Sequence, residues 1–188
     1  DEEFTKLQST VIKFFSCAFL GLTAIMPFVF KILVNEKFGA AYYQIPILLA
    51  GAFFSAMTGV LGAYYVAEKM TSVIARMTIM AAILNIGVNL IFVQKFGLYA
   101  ASISTLVAYL VVFILRYLDV RKRFGIKIEL KVALGIILMT IIVWISYYSQ
   151  NTIWCVMTFA IVCIYSLIMN FQLLKSMTEV INKKFQRR

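Results

Sequence analysis

The chain has 188 residues, 63% of them hydrophobic and 14% charged, with 18 Lys and Arg against 8 Asp and Glu for a net charge of +10. Ordinary soluble domains are roughly 45–50% apolar and about 25% charged, so the composition excludes a water-soluble globule and specifies an integral membrane protein. Histidine is absent, which removes the commonest general base and the commonest metal ligand together.

The first residues, "DEEFTKL", carry no initiating methionine and are acidic. The chain therefore reads as a piece of a longer protein, and the acidic start followed by an apolar run without a small-residue cleavage site fits no signal peptide. A hydrocarbon slab about 30 Å thick takes about 20 apolar residues as helix, so uncharged stretches measure the crossings. They lie between Lys13 and Lys31, Lys37 and Glu68, Arg76 and Lys95, Lys95 and Arg116, and Lys131 and Lys175. The last is about twice as long as one crossing at about 1.5 Å per residue. It must turn back at the polar break "SYYSQNT", Ser146 to Thr152, where Tyr147, Tyr148 and Trp154 suit an interfacial belt.

The reading is an all-α integral membrane protein, a bundle of six transmembrane helices over residues 11–33, 42–66, 72–93, 97–118, 130–147 and 153–174. Residues 1–174 form the membrane lobe and 175–188 a basic tail. Six crossings put both ends on one side, which collects Lys6, Lys13, Lys69, Arg76, Arg116, Arg121, Lys122, Arg123, Lys127, Lys131, Lys175, Lys183, Lys184, Arg187 and Arg188. Lys31, Lys37 and Lys95 remain opposite. That asymmetry predicts cytoplasmic ends. The segment "RYLDVRKRFGIKIELK" is then a topology signal beside anionic lipid rather than a nucleic-acid patch, so no nucleic-acid partner is expected. In the tail, Met177, Val180, Ile181 and Phe185 share a helical face among cations, as in a short helix lying on the inner leaflet.

Within the helices, Pro46 falls in the first turn of the second, where a missing N–H costs little. Pro27 lies well inside the first, where it should kink the helix and free a carbonyl near residue 23, making it a candidate hinge. Gly51, Ser55, Gly59 and Ala63 follow at spacing four in the second helix, and Ala100, Ser104 and Ala108 repeat the device in the fourth. Small residues let helix backbones approach closely where lipid supplies no hydrophobic driving force. These stripes read as static packing, with sliding surfaces as the functional alternative.

Asn85 and Asn89 share a face of the third helix, and an amide facing hydrocarbon without a partner is costly. They face either another helix, through hydrogen bonds, or the wall of a wet cavity. All eight acids fall at span ends, in loops or in tails, which argues against a cation-binding core. Lys13 and Arg76 lie near span ends, where cations snorkel to headgroups; facing a cavity, they would attract phosphate. Cys17, Cys155 and Cys163 lie in apolar runs and read as packing residues, with neither a disulfide framework nor a metal-ligand spacing. No phosphate loop of the GxxxxGK[ST] type is present, and no catalytic residue, metal or cofactor is expected.

The order "NEKFGAAYYQIPILLAGAFFSAMTGVLGAYYVAEKM" and then "ILNIGVNLIFVQKFGLYAASISTLVAYLVVFILRY" resembles the C-terminal half of polysaccharide flippases of the Wzx type, in the multidrug/oligosaccharidyl-lipid/polysaccharide exporter superfamily. The similarity runs from about Phe4 to Arg123 and more loosely through the last two helices. Its signature is a helix ending N-x-x-x-N, a short loop, and G-x-x-G-A-A-x-A-T opening the next helix. Asn85 and Asn89 match the first part and Gly97, Ala101 and Thr105 the second, while Ala100, Ser102 and Ser104 depart from it, small for small. The resemblance implies two lobes of six helices around a central cavity in the bacterial inner membrane, this chain being one lobe and the N-terminal lobe its partner. It also implies export of a lipid-diphosphate-linked oligosaccharide repeat unit by alternating access, in O-antigen, capsule or exopolysaccharide assembly. A multidrug cation antiporter on the same scaffold is the alternative, followed by a membrane scaffold or an enzyme of polysaccharide assembly.

Overall fold

The computed structural model describes residues 2–125, 128–175 and 178. Six α-helices follow in order: α1 (Glu2–Leu33), α2 (Ile45–Ala67), α3 (Thr71–Phe96), α4 (Leu98–Phe124), α5 (Leu130–Ser149) and α6 (Thr152–Met169), with a 3₁₀ segment, Glu36–Gln44, leading into α2. All six are long and apolar enough to cross a membrane, and no strand occurs among the described residues. The chain is a multi-pass, all-α membrane protein. Two helices are longer than the uncharged stretches indicate: α1 begins at Glu2, and α4 continues past Arg116 to Phe124. The tail expected to lie on the membrane surface, with Met177, Val180, Ile181 and Phe185, falls outside the described residues.

The turns follow from a few residues each. Between α2 and α3, Lys69 adopts φ 58°, and the Met70 amide donates to the Tyr65 carbonyl at 2.7 Å, closing the end of α2. Gly97 alone joins α3 to α4, at φ 52° and ψ −124°, a conformation open to glycine and strained for a residue with a Cβ. Its amide closes α3 on the Val93 carbonyl, and its own carbonyl starts α4 by accepting from Ala100. Within the polar stretch 146–152 only Gln150 and Asn151 leave the helices, since α5 runs on to Ser149 and α6 opens at Thr152. Gln150 takes φ 54°, and the Asn151 side chain caps α6 by accepting from the Ile153 and Trp154 amides.

The helices divide into two compact units, residues 1–24 with 130–188, and residues 25–129. In the first, α1 buries Ile12, Ser16, Leu20 and Thr23, α5 buries Ile136, Met139 and Val143, and α6 buries Cys155 and Val162. Ser16 and Thr23 satisfy their hydroxyls on carbonyls of their own helix, Ile12 at 2.6 Å and Phe19 at 2.8 Å, so their burial leaves no orphan donor. The α5–α6 hairpin is drawn close where Gly135 faces the Tyr165 hydroxyl, 3.0 Å from where a Cβ would stand. Of the three cysteines, Cys17 and Cys155 are buried and Cys163 is exposed. The helix α1 is continuous through Pro27, three residues past the boundary between the units.

In the second unit, α4 is the central element, packed along both α2 and α3. Contacts between α2 and α4 recur at nearly constant sequence separation. Ser102 donates to Gln44 at 2.7 Å and Arg116 to Thr58, each 58 residues apart, and Tyr65 donates to Asp119, 54 apart. The two helices therefore run parallel, with α3 antiparallel to both. Gly51 brings the backbones together: a Cβ there would meet Thr105 Cγ2 at 3.4 Å and the Leu106 backbone at 3.5 Å.

The two small-residue stripes behave differently. On α4 the row continues beyond Ala100, Ser104 and Ala108 through Val112, Arg116 and Val120, all at most 5% exposed. On α2, Gly51 is buried and Ser55 half-buried, but Gly59 and Ala63 are exposed. At about 100° per residue, a spacing of four drifts by about 40° per step. The row on α2 thus winds out of its single interface, which continues instead through Thr58, Leu61, Gly62 and Tyr65. The row on α4 winds from one neighbour to the other and stays covered.

Candidate functional site

At the end of the second unit where α2 stops and α3 starts, α4 brings together a group of polar side chains. Arg116 is 5% exposed. Its Nη1 donates to the Thr58 carbonyl at 2.7 Å, and its Nη2 donates to Thr78 Oγ1 at 3.2 Å and to the Ile74 carbonyl at 3.4 Å. One guanidinium thus ties α4 to both flanking helices. Gly62 leaves the space for it, since a Cβ there would stand 3.4 Å from Nη1. Nε has no partner among the described residues, and the guanidinium forms no ion pair with them. Backbone carbonyls and a hydroxyl carry its charge, a common solution for a cation inside a helical membrane protein.

Asp119, three residues further along α4, accepts from the Tyr65 hydroxyl at 2.8 Å and from Arg123 Nε at 2.9 Å on both oxygens. The carboxylate is matched by Arg123 and makes no ion pair with Arg116. Beside it, Leu61, Tyr64, Tyr65 and Val120 form a buried cluster flanked by Met70, Val73, Ile74, Phe113, Tyr117 and Phe124. Phe113 and Tyr117 stack with planes 13° apart. Sequence reading placed Arg116 and Asp119 at the close of a span, as topology signals. The clue to a buried role was present, because Arg116 continues the four-residue rhythm of Ala100, Ser104, Ala108 and Val112.

The residues singled out as headgroup or cavity contacts lie elsewhere. Lys13 is half-buried on α1 in the first unit, and Arg76 is exposed on α3 in the second. Arg76 projects from the side of α3 opposite Ile74, Thr78 and Ala81, the row turned toward α4. Asn85 and Asn89 are half-buried. Asn85 continues that inward row, Asn89 lies about 40° around from it, and neither amide makes a hydrogen bond to the described residues. Interhelical bonding within this unit therefore does not account for them. Only Ala81 is buried in the whole of α3. No group of three or more His, Cys, Asp or Glu that could hold a metal occurs among the described residues.

The fold and these groups define a multi-pass helical membrane protein with a guanidinium-centred clamp and a sparsely covered third span bearing polar side chains. The chain matches no family model, and no curated protein or solved structure is significantly similar to it.

Proposed function

We propose that this chain is one lobe of a transporter that carries lipid-diphosphate-linked oligosaccharide from the cytoplasmic to the outer leaflet by alternating access. In this reading its ends face the cytoplasm of a bacterial cell, and a second six-helix lobe completes the cavity. The observation that carries it is α3, the least covered span, on which Asn85 and Asn89 have no partner among the described residues. Amides within hydrocarbon require protein or water. A cavity wall completed by a second lobe supplies both.

Two further features support the reading. Asp119, the one acid inside the middle spans of this unit, is matched by Arg123 at 2.9 Å, so no free carboxylate stands ready for an organic cation. The helices α2 to α4 are pinned near both ends, by Ser102 on Gln44 and by Arg116 on Thr58, as suits a group that moves as one body. Arg76 is the proposed diphosphate contact, through bidentate hydrogen bonds; Lys13, in the other unit, is a separate candidate that would act as a point charge.

The test is translocation by the intact protein in vesicles, comparing wild type with Arg76→Ala. Loss of a charge-assisted contact worth roughly 1.5–3 kcal/mol lowers apparent affinity for the diphosphate about tenfold or more, with insertion unchanged. Wild-type translocation by that variant removes Arg76 from the site. Proton-coupled efflux of an organic cation, with no movement of lipid-linked glycan, would favour the antiporter.

A further inference from the structure

Where α3 meets α4, Val88, Phe92 and Phe96 of α3 and Ala100 and Ile103 of α4 line a groove of about 130 Å³ that is apolar throughout. Ala100 forms its floor at 1% exposure. Phe92 and Phe96 stand one turn apart with ring centroids 5.8 Å from each other, and both are exposed. The three α3 residues recur at spacing four, so the groove follows the helix for about 12 Å at 1.5 Å per residue. That is close to the depth of one leaflet, about half of a 30 Å hydrocarbon core.

The outer end of the groove has a different chemistry. Lys95 is exposed, has no ion pair among the described residues, and lies seven residues past Val88 and three past Phe92, on the same side of α3. The α3–α4 turn at Gly97 and the exposed Tyr99 follow it, and tyrosine is favoured at the level of lipid headgroups.

We propose that this groove is a lipid site, holding one acyl chain of an anionic phospholipid whose phosphate is held by Lys95. A further helix, about 10 Å across, is too wide to enter. A hydrocarbon chain is slender enough and runs parallel to the helices. Since lipid tails are as apolar as the groove, no hydrophobic gain selects the chain; filling restores the dispersion contacts that an open furrow lacks. Headgroup selectivity then comes from Lys95. The site shares a face of α3 with Asn85 and Asn89 but lies toward the α3–α4 turn, and its test reads lipid retention rather than transport.

The experiment is native mass spectrometry of the full chain released from nanodiscs of equal phosphatidylglycerol and phosphatidylcholine. Wild type should retain a lipid with phosphatidylglycerol favoured about fivefold, the Boltzmann factor of the roughly 1 kcal/mol that one cation contributes beside an anionic headgroup. Lys95→Gln should bring the ratio to about one, whereas Lys37→Gln, a control cation outside the groove, should keep the preference. Ile103→Trp, which fills the groove from an exposed position, should release the retained lipid whatever its headgroup, with helical content by circular dichroism unchanged. Equal retention of both lipids by wild type would overturn the proposal. So would a preference that survives Lys95→Gln, or lipid retention that survives Ile103→Trp.

Discussion

Replacing Arg116 inverts the usual order of conservative change. Arg116→Met removes three charge-assisted hydrogen bonds, to the Thr58 carbonyl at 2.7 Å, to Thr78 Oγ1 at 3.2 Å and to the Ile74 carbonyl at 3.4 Å, the two shorter ones each worth roughly 1.5–3 kcal/mol. It also removes the cost of holding a buried charge, which is several kcal/mol per ion. Methionine retains most of the stem's volume and adapts to the space beside Gly62. The partners are not orphaned, because Thr78 Oγ1 still donates to the Ile74 carbonyl at 2.9 Å. The opposing effects nearly cancel, leaving a net loss of about 2 kcal/mol or less. Arg116→Lys keeps the charge buried, but a single ammonium lacks the planar fork that spans acceptors on two helices. It loses one bond, roughly 1.5–3 kcal/mol, with no relief from desolvation. The lysine variant should therefore be the less stable of the two when SDS is titrated into mixed micelles and helicity is followed by circular dichroism. A methionine variant less stable than the lysine variant by more than about 1 kcal/mol would refute the reasoning, because it would show the charge itself to be stabilising.

Other substitutions separate the two small-residue rows and test the turn. Gly51→Leu should cost about 1–3 kcal/mol or more by overpacking against Thr105 and Leu106. Gly59→Leu, with nothing within 4 Å of its Cβ position, should unfold at or above the wild-type midpoint in the same titration. Equal losses at both sites would contradict the assignment of interfaces. Gly97→Ala places a Cβ at φ 52°, ψ −124° and should cost roughly 1–3 kcal/mol. A wild-type midpoint would show that the α3–α4 turn adopts another conformation.

The membrane spans were legible because charge is expensive in hydrocarbon. Runs without Asp, Glu, Lys or Arg located all six helices, and the polar residues 146–152 placed the α5–α6 turn at Gln150 and Asn151. The same rule concealed the most specific feature of the second unit. Treating every cation as the close of a span ended the fourth helix before Phe124, although a guanidinium can lie inside when carbonyls of neighbouring helices receive it. Those acceptors, Thr58 and Ile74, are 58 and 42 residues away in sequence, beyond the reach of local pattern. Of the four-residue row on α2, Gly51 and Ser55 are covered and Gly59 and Ala63 are exposed, because such a row drifts around its helix by about 40° per step. The cost of an amide in hydrocarbon drew attention to Asn85 and Asn89, and the family resemblance to Gly97. The structure gives Gly97 a conformational reason for being glycine and leaves both amides without a partner among the described residues of their unit.

The most direct test of the account is translocation itself. Vesicles are reconstituted with the intact protein and loaded with a lipid-diphosphate oligosaccharide bearing a sugar that a membrane-impermeant enzyme can modify. Transfer that depends on the protein, runs beyond the rate in empty vesicles and weakens in Arg76→Ala is the predicted result. Equal accessibility in protein-containing and empty vesicles, across lipid-diphosphate glycans of differing sugar composition, would contradict it.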